Sequence, residues 1–204
     1  MPEKIKIAIL ISGLGSNMEA LIKDIKKQDH PGEIAIVISD NTDALGLKKA
    51  EQLGVPAISL RADPIAFGKN SFENLLLELL ISNNIRIVCL AGFMKILSST
   101  FLKNFSGEIL NIHPSILPSL KGLNTHRRVL EKNLDVHGAT VHKVSKDLDG
   151  GMILSQTTIA ILEKDTPESL SQRLKPKEHQ LYAETLRHFL SGNSNIIQKL
   201  DLGH

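Results

Sequence analysis

The stretch "IKIAILISGLGSNMEALIKDIKK" (residues 5–27) decides the fold of this 204-residue chain. Its first eight residues are nearly all apolar, which is typical of a parallel β-strand covered on both faces. From Met18 to Ile25 the apolar side chains recur every three or four residues, a spacing that predicts a helix. The stretch therefore predicts a strand, a glycine-containing loop and a crossover helix, the unit from which parallel α/β sheets are built.

Further strands and helices are predicted along the rest of the chain. Further strands are predicted at residues 33–39, 55–60, 85–92, 107–113, 137–144 and 151–161. Further helices are predicted at residues 42–54, 71–82, 125–133 and 166–190. Pro176 lies inside the last helix and predicts a kink or a break near Lys175, because proline lacks the backbone N–H. Since the sequence contains no repeat or linker, we expect one α/β domain over residues 1–204.

The composition excludes several classes of protein. Hydrophobic residues make up 42% of the chain and charged residues 23%, as in ordinary soluble globular proteins. The net charge of +2 is too small to indicate a nucleic-acid partner. We expect no signal peptide, because the first residues lack a small-residue cleavage site, and no apolar run approaches the roughly 20 residues of a membrane span. Cys89 is the only cysteine, so no internal disulfide can form and a reducing compartment is expected. Together these observations predict a cytoplasmic protein without membrane contact.

The glycine-containing loop "SGLGSN" (residues 12–17) is the first candidate binding segment. Ligands of open α/β sheets lie beyond the carboxyl ends of the strands, and the backbone N–H groups at the start of a helix suit a phosphate. A structural alternative is that Ser16 caps the helix and Glu19 completes a capping box. The loop is not a complete dinucleotide fingerprint, because Met18 stands where that motif needs glycine.

The second candidate, "LNIHPSILP" (residues 110–118), ends an apolar strand with two polar side chains. Asn111 and His113 are two residues apart, so they share one face of the strand and can converge on one atom. Pro114 restricts the backbone of His113 to extended conformations. An amide donor beside an imidazole is suited to stabilising a carbonyl oxygen that becomes an oxyanion, as in acyl transfer.

The third candidate, "SKDLDGG" (residues 145–151), places Asp149 before two glycines. These residues could serve only the geometry of the turn. If the fold brings Asp149 beside His113, the carboxylate would orient the imidazole and keep it charged. Sequence spacing does not decide between the two interpretations.

The cysteine and the other histidines are expected to have mainly structural roles. Cys89 lies in an apolar strand and is expected to pack in the core. His137 and His142 are five residues apart in one strand, so they should point to opposite faces and share no metal. We therefore expect a metal-free site. His126, at the start of a helix, could contact a substrate.

Five segments resemble, in order and spacing, the motifs of the glycinamide ribonucleotide formyltransferase family. They are "LISGLGSN" (10–17), "VCLAGFMKIL" (88–97), "LNIHPSILPSLKG" (110–122), "HGATVH" (137–142) and "DLDGGMIL" (147–154). The resemblance implies a three-layer α/β fold with a mostly parallel twisted sheet and a Rossmann-like N-terminal half. That half, about residues 1–105, is expected to bind the nucleotide phosphate, and the catalytic half, about residues 106–204, to bind folate.

The activity implied by the resemblance is transfer of a formyl group from 10-formyltetrahydrofolate, the co-substrate, to the amine of glycinamide ribonucleotide. The implied catalytic residues are Asn111, His113 and Asp149. The implied substrate-binding residues are Gly15, Ser16, Asn17 and Lys175 through Glu178. The implied folate-binding residues are Lys69, Met94, Lys95, Ile96, Leu97, Asn111, Ser145, Lys146, Asp147, Leu148 and Asp149. Many relatives carry arginine where Lys69 and Lys95 stand, and lysine keeps the charge but loses the planar fork.

Two related enzymes and one different class of protein are alternatives. Methionyl-tRNA formyltransferase shares the three catalytic residues but normally adds a C-terminal RNA-binding domain, which we do not expect in a chain of 204 residues. Formyltetrahydrofolate hydrolase uses water as the acceptor and normally carries an N-terminal regulatory domain. A nucleotide-binding sensor or an NAD-dependent oxidoreductase could use the glycine loop without His113, with Asp40 near the position of a ribose-binding acid.

Overall fold

The structure is a computed structural model that describes residues 3–60, 71–192 and 197–198. The chain forms two compact units, Met1–Leu110 and Asn111–His204. The strands are β1 (Ile5–Ile11), β2 (Gly32–Ser39), β3 (Ala57–Ser59), β4 (Ile87–Leu90), β5 (Glu108–His113), β6 (Val136–Lys143), β7 (Ile153–Ala160) and β8 (Ile197–Gln198). The helices are α1 (Ser16–Ile25), α2 (Leu45–Gln52), α3 (Ser71–Ser82), α4 (Ser99–Asn104), α5 (Thr125–Glu131) and α6 (Pro167–Leu190).

The first unit contains a parallel sheet with the strand order β3-β2-β1-β4. β1 pairs in parallel with β2 and with β4, and β2 pairs in parallel with β3. Ile7 through Ile11 are fully buried, as expected for a strand covered on both faces. Cys89 in β4 is also fully buried, so its predicted place in the core is confirmed. Because these strands are parallel, the loops after β1, β2 and β4 all begin at one edge of the sheet.

The second unit contains β6, β7, β8 and the end of β5. β6 and β7 pair antiparallel, and β7 pairs in parallel with β8. The connection between β6 and β7 contains no helix, which is possible because antiparallel neighbours need only a short connection. The prediction of an α/β fold with a mostly parallel sheet is confirmed, and β6 and β7 form an antiparallel pair.

Helix α6 runs without interruption from Pro167 to Leu190, so the predicted break near Lys175 is wrong. Pro176 removes one backbone donor, but the helix continues because apolar side chains on both sides of it are buried. Leu174 is 0% exposed and Leu181 is 6% exposed. None of the described helices, including this one of 24 residues, is long and apolar enough to cross a membrane.

Two short elements, α4 and β8, were outside the sequence predictions. α4 has only six residues, and its start is fixed by a side-chain cap: Ser98 Oγ accepts from the backbone N–H of Phe101 at 3.1 Å. The backbone N–H of Ser98 donates to a carboxylate oxygen of Glu73 in α3 at 2.6 Å. Tertiary contacts of this kind stabilise helices that are too short to be recognised by periodicity.

Candidate active site

The end of β5 places Asn111 and His113 on one face of the strand, in agreement with their spacing. His113 is buried, and its Nε2 lies 3.0 Å from the carbonyl oxygen of Leu120. Because a carbonyl oxygen can only accept, Nε2 carries the hydrogen in this contact. The other ring nitrogen, Nδ1, lies 3.4 Å from Oδ2 of Asp149. The fold therefore brings the predicted carboxylate beside the predicted imidazole.

Asp149 is held both by its own turn and by the loop after β5. Its φ of 46° lies in the left-handed region, which is uncommon for residues other than glycine. Its Oδ2 accepts from the backbone N–H of Gly122 at 2.8 Å. Two residues later, only glycine fits, because a Cβ on Gly151 would lie 1.7 Å from the carbonyl oxygen of Lys143. The segment thus forms the turn and also directs a carboxylate at His113.

His142 belongs to the same cluster, although the sequence analysis assigned it no functional role. It is 2% exposed, and its Nε2 lies 3.2 Å from Nδ2 of Asn111. The same nitrogen lies 3.8 Å from Oδ1 of Asp149. The available sequence signal was its position near the end of β6, within the segment "HGATVH".

The loop after β5 is anchored by the neighbouring strand and by apolar packing. Thr140 Oγ1 in β6 accepts from the backbone N–H of Leu117 at 3.0 Å. Leu120 is buried in a small cluster with Val129 and Leu170. These contacts hold the carbonyl oxygen of Leu120 in its position at the imidazole.

His126, the histidine proposed as a further substrate contact, lies against His137. Its Nδ1 is 3.0 Å from Nε2 of His137, and the two rings meet edge to face. Burial, together with the smaller effects of the neighbouring imidazoles of His126 and His113, lowers the pKa of His137 to about 4. Burial also lowers the pKa of His126, as does the nearby charge of Lys175. Both rings are therefore neutral near pH 7.

The other predicted residues of the second unit lie on α6 and on the turn after β6. Lys175 is exposed, whereas Glu178 is buried. Ser145 Oγ accepts from the backbone N–H of Asp147 at 3.3 Å, which stabilises the turn. The exposed residues of the turn include Lys146, Asp147 and Leu148.

The glycine loop of the first unit does not form the capping box that was the structural alternative. Gly15, with a φ of 72°, is the N-cap of α1, and Ser16 is already the first helical residue. No side chain caps this helix. Glu19 instead accepts from Nζ of Lys49 at 2.6 Å. The capping interpretation is therefore wrong, and the hydroxyl of Ser16 is not committed to a cap.

Helix α2 approaches the glycine loop closely, and Gly46 makes this possible. Its backbone N–H donates to the carbonyl oxygen of Gly13 at 3.0 Å. A Cβ on Gly46 would lie 2.5 Å from Cδ1 of Ile11 and 3.3 Å from Cα of Gly15. The sequence analysis missed Gly46, because its role depends on a contact between two segments far apart in the chain.

The side chain of Asp40, directly after β2, contacts two other segments of the first unit. Its Oδ1 accepts from Ser12 Oγ at 2.6 Å, and its Oδ2 lies 3.9 Å from Nζ of Lys95. Ser12 Oγ in turn accepts from the backbone N–H of Met94 at 2.9 Å. The carboxylate thus links the glycine loop to the segment after β4. Its oxygens are engaged in protein contacts, which argues against the ribose-binding role required by the NAD-dependent alternative.

The segment after β4 presents two exposed apolar side chains. Met94 is 65% exposed and Ile96 is 76% exposed, whereas Leu97 is buried. Exposed large apolar side chains close together are suited to contact with a ligand. Lys69, the remaining predicted folate contact of the N-terminal half, lies outside the described residues.

The lowered pKa of His137 has a consequence for stability in acid. The unfolded chain binds a proton at this residue near pH 6.5 and the folded chain near pH 4, so the free energy of unfolding falls as the pH drops through this window. We expect a loss of roughly 2 to 3 kcal/mol between pH 7 and pH 4 from this residue. Urea unfolding of the wild type and of His137→Asn at several pH values measures it. The variant should lose less stability in acid, and the same pH dependence in both proteins would contradict this assignment.

Comparisons with known proteins connect these residues to a family. The formyl transferase family matches residues 5–186. The chain is 39% identical over 197 residues to phosphoribosylglycinamide formyltransferase from Haemophilus influenzae, covering 96% of this chain and 92% of that protein. It is 43% identical over 190 residues to the trifunctional purine biosynthetic protein adenosine-3 from Gallus gallus, covering 93% of this chain. The chain spans only 19% of the length of that trifunctional relative.

A solved structure shows the same similarity in three dimensions. Glycinamide ribonucleotide transformylase 1 from Symbiobacterium toebii superposes with a TM-score of 0.88 and 40% sequence identity. The match covers 94% of this chain and 90% of that chain. Sequence and structure together show that the chain belongs to the formyl transferase family.

Proposed function

We propose that the protein transfers the formyl group of 10-formyltetrahydrofolate to the amine of glycinamide ribonucleotide, a step of purine biosynthesis. The observation that carries the proposal is a cluster of side chains in the second unit. The Asp149 carboxylate faces the buried ring of His113, and His113 lies at the same strand end as Asn111. The names of relatives similar over most of their length support it, because phosphoribosylglycinamide and glycinamide ribonucleotide are the same acceptor.

The proposed chemistry begins with attack of the substrate amine on the formyl carbon. A carbon–nitrogen bond forms, and the carbonyl oxygen becomes negatively charged in a tetrahedral intermediate. Asn111 donates a hydrogen bond to this oxygen, and protonated His113 supplies positive charge beside it. Loss of one such donor raises an activation barrier by about 3 to 4 kcal/mol.

His113 has to exchange one hydrogen bond before it can donate to the substrate. In the structure its Nε2–H faces the carbonyl oxygen of Leu120. The substrate oxygen would replace this carbonyl as the acceptor.

Collapse of the intermediate breaks the bond between the formyl carbon and the folate nitrogen. The amine has lost one proton and the departing nitrogen gains one, so the reaction needs a proton carrier but no oxidant or reductant. Asp149, 3.4 Å from His113, is placed to hold the charged imidazole and to pass the proton through a water molecule.

The remaining predicted residues are assigned to binding by the family resemblance. Gly15, Ser16 and Asn17 would hold the substrate phosphate, and Lys175 through Glu178 would contact the acceptor. The folate would contact Met94 through Leu97, Ser145 through Asp149, and Lys69. For phosphate binding, the support from the structure is the uncapped start of α1 behind the left-handed Gly15.

The wider setting belongs to the same proposal. We propose a cytoplasmic enzyme that acts on these two small molecules without a metal, a nucleic acid or a membrane, and in which residues 1–204 act as one formyltransferase domain. The mild net charge and the single cysteine support this setting.

The proposed function is tested by the acceptor requirement of the reaction. Purified protein with 10-formyltetrahydrofolate should form tetrahydrofolate, followed by absorbance, only when glycinamide ribonucleotide is present. Turnover at the same rate without the acceptor would instead favour the hydrolase. Binding of NAD with no formyl transfer would favour the oxidoreductase class.

Substitutions of His113 and Asp149 test the assignment of catalytic roles. We expect His113→Ala and Asp149→Asn each to lower kcat by at least about a thousandfold, because each removes charge at the reacting centre. Asparagine at position 149 can still accept from Gly122, so the turn should persist, and circular dichroism should show an unchanged fold. Near-normal turnover by either folded variant would end this assignment.

Two glycines of one loop provide a matched test of phosphate binding. A Cβ on Gly15 would lie 3.0 Å from Cε of Met18, and the residue has a positive φ, whereas a Cβ on Gly13 would meet no atom within 4 Å. Forcing alanine into the left-handed region costs about 1 to 2 kcal/mol. We expect Gly15→Ala to raise the KM for glycinamide ribonucleotide about tenfold and Gly13→Ala to change it by less than about threefold. Equal effects would separate the loop from substrate binding.

A further inference from the structure

His142 touches two of the proposed catalytic residues but has no part in the mechanism above. It lies near the end of β6 and is 2% exposed. One ring nitrogen, Nε2, lies 3.2 Å from Nδ2 of Asn111 and 3.8 Å from Oδ1 of Asp149. The other, Nδ1, lies 2.9 Å from the carbonyl oxygen of Lys143. A buried imidazole with these neighbours must be in a defined protonation state.

The contact with Lys143 determines the position of the proton. A carbonyl oxygen accepts but never donates, so Nδ1 of His142 carries a hydrogen. In the neutral ring, the other nitrogen then has a lone pair and acts as an acceptor. Nε2 is therefore the acceptor that faces Asn111.

Burial favours this neutral form. It is the largest effect that lowers the pKa of His142, and the neighbouring His113 ring and Lys121 ammonium lower it further. The hydrogen bond to the carbonyl of Lys143 and the carboxylate of Asp149 act in the opposite direction but are outweighed. At neutral pH the ring is therefore uncharged.

An acceptor at Nε2 permits only one orientation of the Asn111 amide. The NH₂ group must face His142, because the opposite orientation would bring the amide oxygen against the lone pair of the ring. One N–H of the amide is then used by His142. The second N–H remains for another acceptor, and it is the group that the proposed mechanism needs at the substrate oxygen.

We propose that His142 is a positioning residue for formyl transfer: its unprotonated Nε2 accepts from Asn111 and thereby fixes the amide with an N–H directed to the substrate oxygen. The inference rests on the proposed function. In this proposal His142 does not contact the substrate. It stabilises the transition state only indirectly, by holding the Asn111 amide in position.

A protonated His142 would disturb both neighbours. Its Nε2–H would oblige the amide of Asn111 to turn its oxygen to the ring. It would also compete with His113 for Asp149, whose Oδ1 is 3.8 Å away. The neutral tautomer thus leaves the Asp149 carboxylate to His113 and to the backbone N–H of Gly122.

A double-mutant cycle tests the proposal. His142→Leu removes the acceptor and keeps an apolar side chain in the buried position. We expect it to lower kcat roughly 10- to 100-fold, because the amide loses its preferred orientation, with KM values for both substrates within about threefold. In an Asn111→Ala background, measured under single-turnover conditions, the same substitution should lower the rate by less than about threefold. His142→Gln, which can supply both an acceptor and a donor, should recover part of the lost kcat.

Several outcomes would overturn the inference. An equal loss in both backgrounds would mean that His142 supports the fold in general, and a change in KM alone would mean that it serves binding. Should His142→Leu fail to fold, the tautomer can be read from nitrogen NMR of wild-type protein labelled in the histidine rings. The expected signal at neutral pH is a protonated Nδ1 with a bare Nε2, and a protonated Nε2 would refute the proposal. If the wild type forms no product in the presence of the acceptor, the proposed function itself has failed.

Discussion

The contact between the carboxylate of Asp149 and the imidazole of His113 is the interaction on which the proposed chemistry depends. The two residues come from different strand ends, so nothing local holds them together. The backbone N–H of Gly122 fixes one carboxylate oxygen, and Gly151 lets the turn pass against the carbonyl of Lys143. The positive φ of Asp149 then directs its side chain at the ring. The glycines and the left-handed backbone of Asp149 are therefore part of the geometry on which the proposed chemistry depends.

A second carboxylate organises the first unit in a comparable way. Parallel strands bring several loops to one edge of a sheet but do not fix the loops to one another. Asp40 supplies that link, because it accepts from Ser12 of the glycine loop and lies near Lys95 of the segment after β4. The approach of Gly46 to the same loop completes the arrangement. A loop held in this way can present backbone N–H groups in a fixed geometry, which phosphate binding requires.

Much of this arrangement could be predicted from sequence, because apolar periodicity defines strands and helices and the spacing of Asn111 and His113 defines a shared face. Local rules failed where tertiary packing competes with them: Pro176 does not end α6, and Ser16 does not cap α1. The positioning role proposed for His142 could not be predicted from sequence, because it depends on a contact with Asn111, which lies 31 positions away in the chain. The family motifs predict which residues form the site, but the hydrogen bonds that orient those residues depend on contacts between distant segments, which sequence spacing does not determine.

A crystal structure with a stable analogue of the tetrahedral intermediate would test the central claim most directly. Such an analogue carries a hydroxyl group in place of the charged oxygen. The account predicts this hydroxyl within hydrogen-bond distance of Nδ2 of Asn111 and of the His113 ring, with Asp149 still facing that ring. A hydroxyl directed away from both residues, or an Asp149 side chain withdrawn from His113 in that complex, would contradict it.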